Sequence, residues 1–421
     1  MHLKFICISD KIIKYKVLTQ IGNLKMNYRI SDKLASMKPS AIREIFKSLT
    51  DPSIIAFAAG NPSPLTFPSE EIAEITARIL KESPTVALQY GITEGYPKLR
   101  RAVAERLKAR FSHSLTDNTL LITSGGQQAL ELTAKVMCSE GDAVICENPT
   151  FIGALNAFRS VGAKIVGVPI LDDGYDIDLL EKACIEHPEA KILYTIPTFH
   201  NPIGICTSYE KRKQIYAIAK KYSLIILEDN PYGELRFEGE DIPTIKSMDT
   251  EGIVVYCGSF SKILSSGMRV GFALAPDPVA QKMVVAKQVE DVHTNQLFQM
   301  VCAEYMEKYD LDAHIERAKD IYRKKCSLML SALDEYMPVC VKYTRPCGGL
   351  FVYVTLPSHI NLSEFVKKAL ELGVAVVPGT AFNSDESMGS SSFRITYSTP
   401  SEEQIVRGVK ILSELVSTYM K

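Results

Sequence analysis

The feature that most constrains this 421-residue chain is a series of short, almost uninterrupted apolar runs set between helix-period segments. They fall at 120–123, 143–146, 164–168, 192–195, 224–227, 253–256 and 271–274. A strand with one wet face alternates apolar with polar residues, whereas a strand covered on both faces reads as continuously apolar. Between these runs, segments such as 208–222 repeat their apolar residues with the helical period. Strand and helix alternating in this way predict an α/β fold: a mostly parallel seven-stranded sheet flanked by helices over residues 69–305. Such sheets take their ligands outside the carboxyl ends of the strands.

After residue 305 the texture changes. Long charged helical stretches at 310–336, 361–372 and 401–420 bracket short strands near 350–355, 374–377 and 393–397, which predicts a smaller α+β domain over 306–421. At the other end, Lys4, Lys11, Lys14 and Lys16 surround a short apolar patch, and neither a long apolar stretch nor a small-residue cleavage site follows. Met26 opens a more ordinary helical stretch, so residues 1–25 are expected to be an extension outside the fold.

Formal charge is 48 − 49 = −1, which gives no field to draw nucleic acid or an anionic membrane. No apolar run approaches the ~20 residues that span a bilayer. Ten cysteines are scattered without a C-x-x-C or Cys/His cluster, and Cys146, Cys257 and Cys302 lie in apolar runs. That usage fits buried thiols in a reducing, cytoplasmic compartment, with no disulfide framework and no metal site.

The strand ends carry polar groups. Gly125 and Gly126, followed by Gln127, open a helix and leave backbone N–H groups bare, where the helix dipole favours an anion by up to ~2 kcal/mol. A plain capped turn has the same look. Phe151 follows a turn and either stacks on a flat heteroaromatic ring or belongs to the core. Asn201-Pro202 breaks a strand, as a donor to a phenolate oxygen or as a simple turn initiator. Asp229 ends an apolar run, with Tyr232 three residues on; it caps the turn or pairs with a protonated pyridine nitrogen. Finally, Ser259-Phe260-Ser261-Lys262 is followed seven residues later by Arg269. A second cation pushes the lysine pKa down, and the hydroxyls and arginine are suited to a phosphate. These are the needs of a lysine that forms a Schiff base with a phosphorylated aldehyde. Asp229 and Lys262 are 33 positions apart, about one strand-plus-helix unit.

In this order the motifs resemble those of the fold-type I pyridoxal phosphate (PLP) enzymes of the class I/II aminotransferases. Within them the chain is most similar to the kynurenine/2-aminoadipate and aromatic aminotransferase subgroup. The resemblance runs from about residue 27 to 417. It passes through Gly60-Asn61-Pro62, Leu88-Gln89-Tyr90-Gly91, the motifs above, Arg345-Pro346-Cys347-Gly348-Gly349-Leu350-Phe351, Val377-Pro378-Gly379 and Phe393-Arg394-Ile395. Three positions depart from the common pattern: Ser266 where proline is frequent, Ile203 where threonine is, and Phe151 where tyrosine is.

The resemblance implies a large PLP-binding domain at 69–305, a small domain at 306–421, and an arm at 26–68 that contributes to the small domain and the site entrance. It implies that Lys262 is the Schiff-base lysine and proton shuttle, that Asp229 pairs with the pyridine nitrogen, and that Asn201 and Tyr232 hold the ring oxygen. Phe151 stacks on the ring. Gly125, Gly126, Gln127, Ser259, Ser261 and Arg269 surround the phosphate, joined by Tyr90 from the neighbouring subunit of a homodimer. Arg394 with Asn201 grips the substrate α-carboxylate, and Gly60 lies over the substrate. The implied activity moves an amino group between an L-amino acid and a 2-oxo acid, 2-oxoglutarate, by a ping-pong cycle. A C–S β-lyase would use the same residues. A non-catalytic PLP-binding regulatory domain would need a DNA-binding module, for which the 25 residues ahead of the fold are too few.

Overall fold

The computed structural model describes residues 51–420 together with Ile30, Ser31 and Leu34. The expected extension at 1–25, and most of the arm up to residue 50, lie outside the described residues. The strands are β1 (Ile55–Ala56), β2 (Asn118–Thr123), β3 (Ala143–Asn148), β4 (Lys164–Leu171), β5 (Gly174–Tyr175), β6 (Ala190–Thr195) and β7 (Ile225–Asp229). They continue with β8 (Val254–Ser259), β9 (Gly271–Pro276), β10 (Lys342–Tyr343), β11 (Phe351–Thr355), β12 (Val374–Ala375), β13 (Val377–Pro378) and β14 (Ser392–Thr396). The helices are α1 (Ser69–Glu82), α2 (Pro84–Leu88), α3 (Pro97–Phe111), α4 (Gly126–Met137), α5 (Ile152–Ser160) and α6 (Ile177–Glu186). After them come α7 (Tyr209–Lys221), α8 (Asp277–Glu290), α9 (Gln296–Lys308), α10 (Leu311–Tyr336), α11 (Leu362–Glu371) and α12 (Glu402–Tyr419).

All seven apolar runs become neighbours in one sheet of order β2-β9-β8-β7-β6-β3-β4-β5. Pairings β3–β4, β3–β6, β6–β7 and β7–β8 are parallel, while β9 runs antiparallel between β2 and β8. The eighth strand, β5, is a two-residue edge strand that pairs antiparallel with β4. It was beyond the reach of periodicity because two residues carry no period.

The continuous apolar runs have a simple cause. Successive side chains of a strand point to opposite faces, and both faces here are covered. Leu193, Ile226 and Val254 join a cluster with Leu180, Ile215 and Ala219 of α6 and α7. Their neighbours Tyr194, Leu227 and Val255 pack on the other face with Leu130, Phe158 and Met283 of α4, α5 and α8.

Beyond residue 305, α10 and α12 pack together and cover a four-stranded antiparallel sheet of order β10-β11-β14-β13. The run expected at 374–377 divides at Val376: β12 pairs parallel with β1, and β13 pairs with β14. Helix starts are set by short polar side chains that accept an otherwise orphan N–H. Ser208, Asp310 and Asn361 cap α7, α10 and α11, and Ser401 with Gln404 forms a capping box on α12. Among the described residues no helix is long and apolar enough to cross a membrane.

Candidate active site

Five segments meet at the carboxyl edge of the large sheet: the turn after β2, the loop after β3, the loop after β6, the end of β7 and the loop after β8. Because β9 is antiparallel, its start lies at that same edge and brings in Arg269. Residues of β14 and of the segment after β1 complete a cavity of about 470 Å³. Gly60, Gly126, Gln127, Phe151, Asn201, Asp229, Tyr232, Ser259, Ser261, Lys262, Arg269 and Arg394 all line it. Residues read from five strand ends and two distant segments are thus one constellation.

Gly125 stands directly behind this lining. Its φ of +83° is in the region that side chains disfavour, and a Cβ there would stand 2.4 Å from an Arg269 Nη2. Glycine is therefore what allows the guanidinium to approach the start of α4. No side chain caps that helix, so its first N–H groups remain available. Arg269 itself has φ 55°, a left-handed backbone rare for a non-glycine residue. Its Nη1 and Nη2 donate to Ser266 O and Ser124 O, each at 3.2 Å. Beside it, Ser259 Oγ donates to Ser261 Oγ at 2.8 Å and accepts the Ser261 N–H at 3.0 Å. A helix N-terminus, two hydroxyls and a guanidinium make a cradle for a multiply charged anion.

Asp229 is 5% exposed and its Oδ2 accepts from Tyr194 Oη at 2.8 Å. No cation among the described residues pairs with it. Burial lifts its carboxyl to about 7 against the pull of the Tyr194 hydroxyl, and the charge of Glu147 adds to the lift. Glu147 is itself fully buried, accepting from Thr195 Oγ1, the Ile196 N–H and His200 Nε2 at 2.5, 2.9 and 3.1 Å. Lys262 Nζ donates to Gly60 O at 2.8 Å. Loss of hydration brings its amine down to about 8, with Arg394 and Arg269 contributing.

Arg394 lies between two aromatic faces, 4.2 Å from the Phe351 centroid and 5.1 Å from that of Phe382. Its Nη1 donates to Asn201 Oδ1 at 2.8 Å and its Nη2 to Ala58 O at 2.9 Å, while its buried Nε has no partner among the described residues. The rings and the two bonds fix the plane of the guanidinium and leave donors over for a carboxylate. Tyr232 packs edge-on to Phe351, with centroids 5.7 Å apart, and burial pushes its phenol pKa up.

Tyr90 does not reach this cavity within the chain; it is 80% exposed and edge-on to His293. Several contributors escaped the sequence reading. Tyr194 carried one signal, a phenol directly after the aliphatic pair Ile192-Leu193. Glu147 carried the signal of an acid that follows an apolar run, while Phe382, Ile196 and Leu130 carried none. Asp291 is another: it accepts from Ser124 Oγ and Gln128 Nε2, both at 2.8 Å, and so fixes the turn that leads into α4.

The sequence pattern described as aminotransferase class I and II matches residues 52–412. The chain belongs to this family. The aromatic-amino-acid aminotransferase 1 of Thermococcus litoralis is 41% identical over 416 residues, covering 98% of this chain and 99% of that protein. The crystal structure of Pyrococcus horikoshii kynurenine aminotransferase superposes with a TM-score of 0.90 at 37% identity, covering 95% of this chain and 99% of that one. The alpha-aminoadipate aminotransferase from Thermus thermophilus, solved with N-(5'-phosphopyridoxyl)-L-leucine, gives 0.85 at 39% identity, with 93% and 98% covered. Such class I/II aminotransferases share with this chain the fold-type I architecture, so the expected family and fold both hold.

Proposed function

We propose that this aminotransferase holds pyridoxal phosphate on Lys262 and moves an amino group between an L-amino acid and a 2-oxo acid, with 2-oxoglutarate as acceptor, in a ping-pong cycle. The observation that carries the reading is one cavity containing an amine near neutrality, a buried carboxylate without a cation among the described residues, an anion cradle and a guanidinium with spare donors.

The residues fit the cofactor group by group. Ser259, Ser261, Arg269 and the N-terminus of α4, with Gly125, Gly126 and Gln127, suit a phosphate. Asp229 suits a protonated ring nitrogen, Asn201 and Tyr232 a phenolate oxygen, and Phe151 a ring face. When bound, the cofactor supplies an electron sink for the bonds at the substrate Cα. Asp229 keeps positive charge on the ring side of the cavity, offsetting the burial that otherwise lifts its own pKa. Lys262 Nζ takes up and releases the substrate Cα proton, a task suited to an amine brought down to about 8. Arg394 has used two of its five donors on Asn201 and Ala58, so its Nε–H and remaining N–H groups offer a planar fork to the α-carboxylate. A carboxylate held in one plane fixes which Cα bond the sink acts on, favouring deprotonation over decarboxylation.

The exposed Tyr90 is explained by a homodimer in which the partner subunit's Tyr90 reaches the phosphate. Free thiols at nine described cysteines support a cytoplasmic setting. The test is a panel of L-amino acids, with aromatic residues, kynurenine and 2-aminoadipate among them, offered with 2-oxoglutarate while glutamate is measured. Glutamate formation that gives parallel initial-rate lines supports the reading. Pyruvate and ammonia released from cystathionine without an acceptor would replace it with a β-lyase.

A further inference from the structure

Two cysteines separated by 141 positions in the chain meet on one guanidinium. Arg236 Nη1 lies 3.1 Å from Cys347 Sγ, and its Nη2 lies 3.4 Å from Cys206 Sγ. Cys206 Sγ also accepts the Phe199 N–H at 3.5 Å. Arg236 is held in place by the Phe199 ring, 4.8 Å away, and by Asp241, whose Oδ1 is 3.2 Å from Nε. Its two terminal nitrogens face the sulfurs, with Nη1 also donating to Glu238 O at 3.4 Å. Buried Arg212 adds a second positive charge near Cys206. Both cysteines are half-buried.

Thiols packed merely to fill space are driven up in pKa by burial. Cys138 and Cys184 are raised to about 11 and Cys326 to about 12 in this way. Cys206 goes the other way, down to about 6, through the Cys347 thiol first and then the Phe199 amide and Arg236, against burial. Cys347 goes up, chiefly through its neighbour Cys206 and burial. One thiolate acceptor beside one protonated donor is the division of labour that peroxide chemistry needs.

We propose that Cys206 and Cys347 form a hydroperoxide-sensitive modification site, in which Cys206 reacts first and Cys347 resolves it to a disulfide. In the first step the Cys206 thiolate attacks the terminal oxygen of ROOH, forming S–O and breaking O–O. The alkoxide leaves and takes a proton from solvent as ROH, and Cys206 becomes a sulfenic acid. In the second step Cys347 sulfur, losing its proton, attacks Cys206 Sγ; S–S forms, S–O breaks, and the hydroxyl leaves as water with that proton. The two thiols together give up two electrons, and the hydroperoxide accepts them.

The bond would join the loop carrying Asn201 to the segment leading into β11. These are already in backbone contact, since a Cβ at Gly204 would stand 2.6 Å from Phe351 O. Asn201 and Phe351 are two of the neighbours of Arg394, so the site lies behind the carboxylate end of the cavity.

The holoenzyme is treated with one equivalent of hydrogen peroxide, its remaining thiols are alkylated, and the digest is mapped by mass spectrometry. The expected result is a Cys206–Cys347 linked peptide pair, two hydrogens lighter, with the other thiols alkylated. Cys347→Ser should leave a Cys206 sulfenic acid that dimedone captures, and Arg236→Met should slow Cys206 alkylation at pH 7 by about tenfold. First oxidation at exposed Cys340, a pair left reduced, or a Cys206 alkylation midpoint at the ordinary thiol value of about 8.5 would overturn the proposal.

Discussion

Replacing Arg394 by lysine keeps the charge and removes the plane. In the native site the guanidinium is held by Asn201 Oδ1 and Ala58 O at 2.8 and 2.9 Å and by the rings of Phe351 and Phe382. Its remaining donors can meet both oxygens of an α-carboxylate at once. An ammonium on a shorter, non-stacking tip can meet one oxygen well. The difference is one charge-assisted hydrogen bond, worth roughly 1.5–3 kcal/mol. At about 1.4 kcal/mol per tenfold, kcat/KM for an L-amino acid should fall about 10- to 150-fold. The assay follows the amino-donor half-reaction by the cofactor absorbance change, once with phenylalanine and once with 2-phenylethylamine, which lacks the carboxylate. The loss should be confined to phenylalanine. An equal loss for both amines, or a loss below about threefold for phenylalanine, would refute the carboxylate role and leave Arg394 a structural cation.

Asp229→Asn should lower the rate of the half-reaction by about 10²–10⁴-fold, because removing one member of a buried charge pair costs roughly 3–5 kcal/mol. A cofactor analogue with a methylated, permanently charged ring nitrogen should restore part of it. The same substitution has a separate consequence in the cofactor-free protein. The carboxyl of Asp229 is raised from 3.8 to about 7 in the folded chain, so between those values the native state binds more protons than the unfolded one. Stability from this group is present below the unfolded pKa and is lost as pH rises through about 7. Asp229→Asn should therefore raise the Tm of the cofactor-free protein at pH 8 and leave it little changed at pH 4; equal shifts at both would contradict the burial argument. If Tyr90 acts across an interface, the protein should sediment at twice its 46.7 kDa, and Tyr90→Phe should weaken cofactor binding severalfold while leaving the half-reaction rate of loaded enzyme near native. A fully active monomer would exclude that role.

The sheet was legible because burial on both faces writes itself into each strand: Ile226 and Leu227 must both be apolar when one meets α7 and the other α4. The charged helices beyond 305 were legible to within a residue at either end, since α10, α11 and α12 carry strong caps. The site was legible where its residues end strands, as Asp229 and Ser259 do. It was not legible where packing across the sheet supplies the partner. Nothing near Asp229 in the chain announces Tyr194, which reaches it from the adjacent strand. Phe382 meets Arg394 only because β13 pairs with β14 and delivers the turn that follows. The cysteines show the same limit. A search for closely spaced pairs finds none, yet the fold brings Cys206 and Cys347 onto one arginine.

The central claim is covalent attachment at one amine. Purified protein loaded with pyridoxal phosphate is reduced with borohydride, digested and mapped. A pyridoxyl group on the peptide containing Lys262, absent from Lys262→Ala, is the expected result. A label on any other lysine, or none at all, would contradict it.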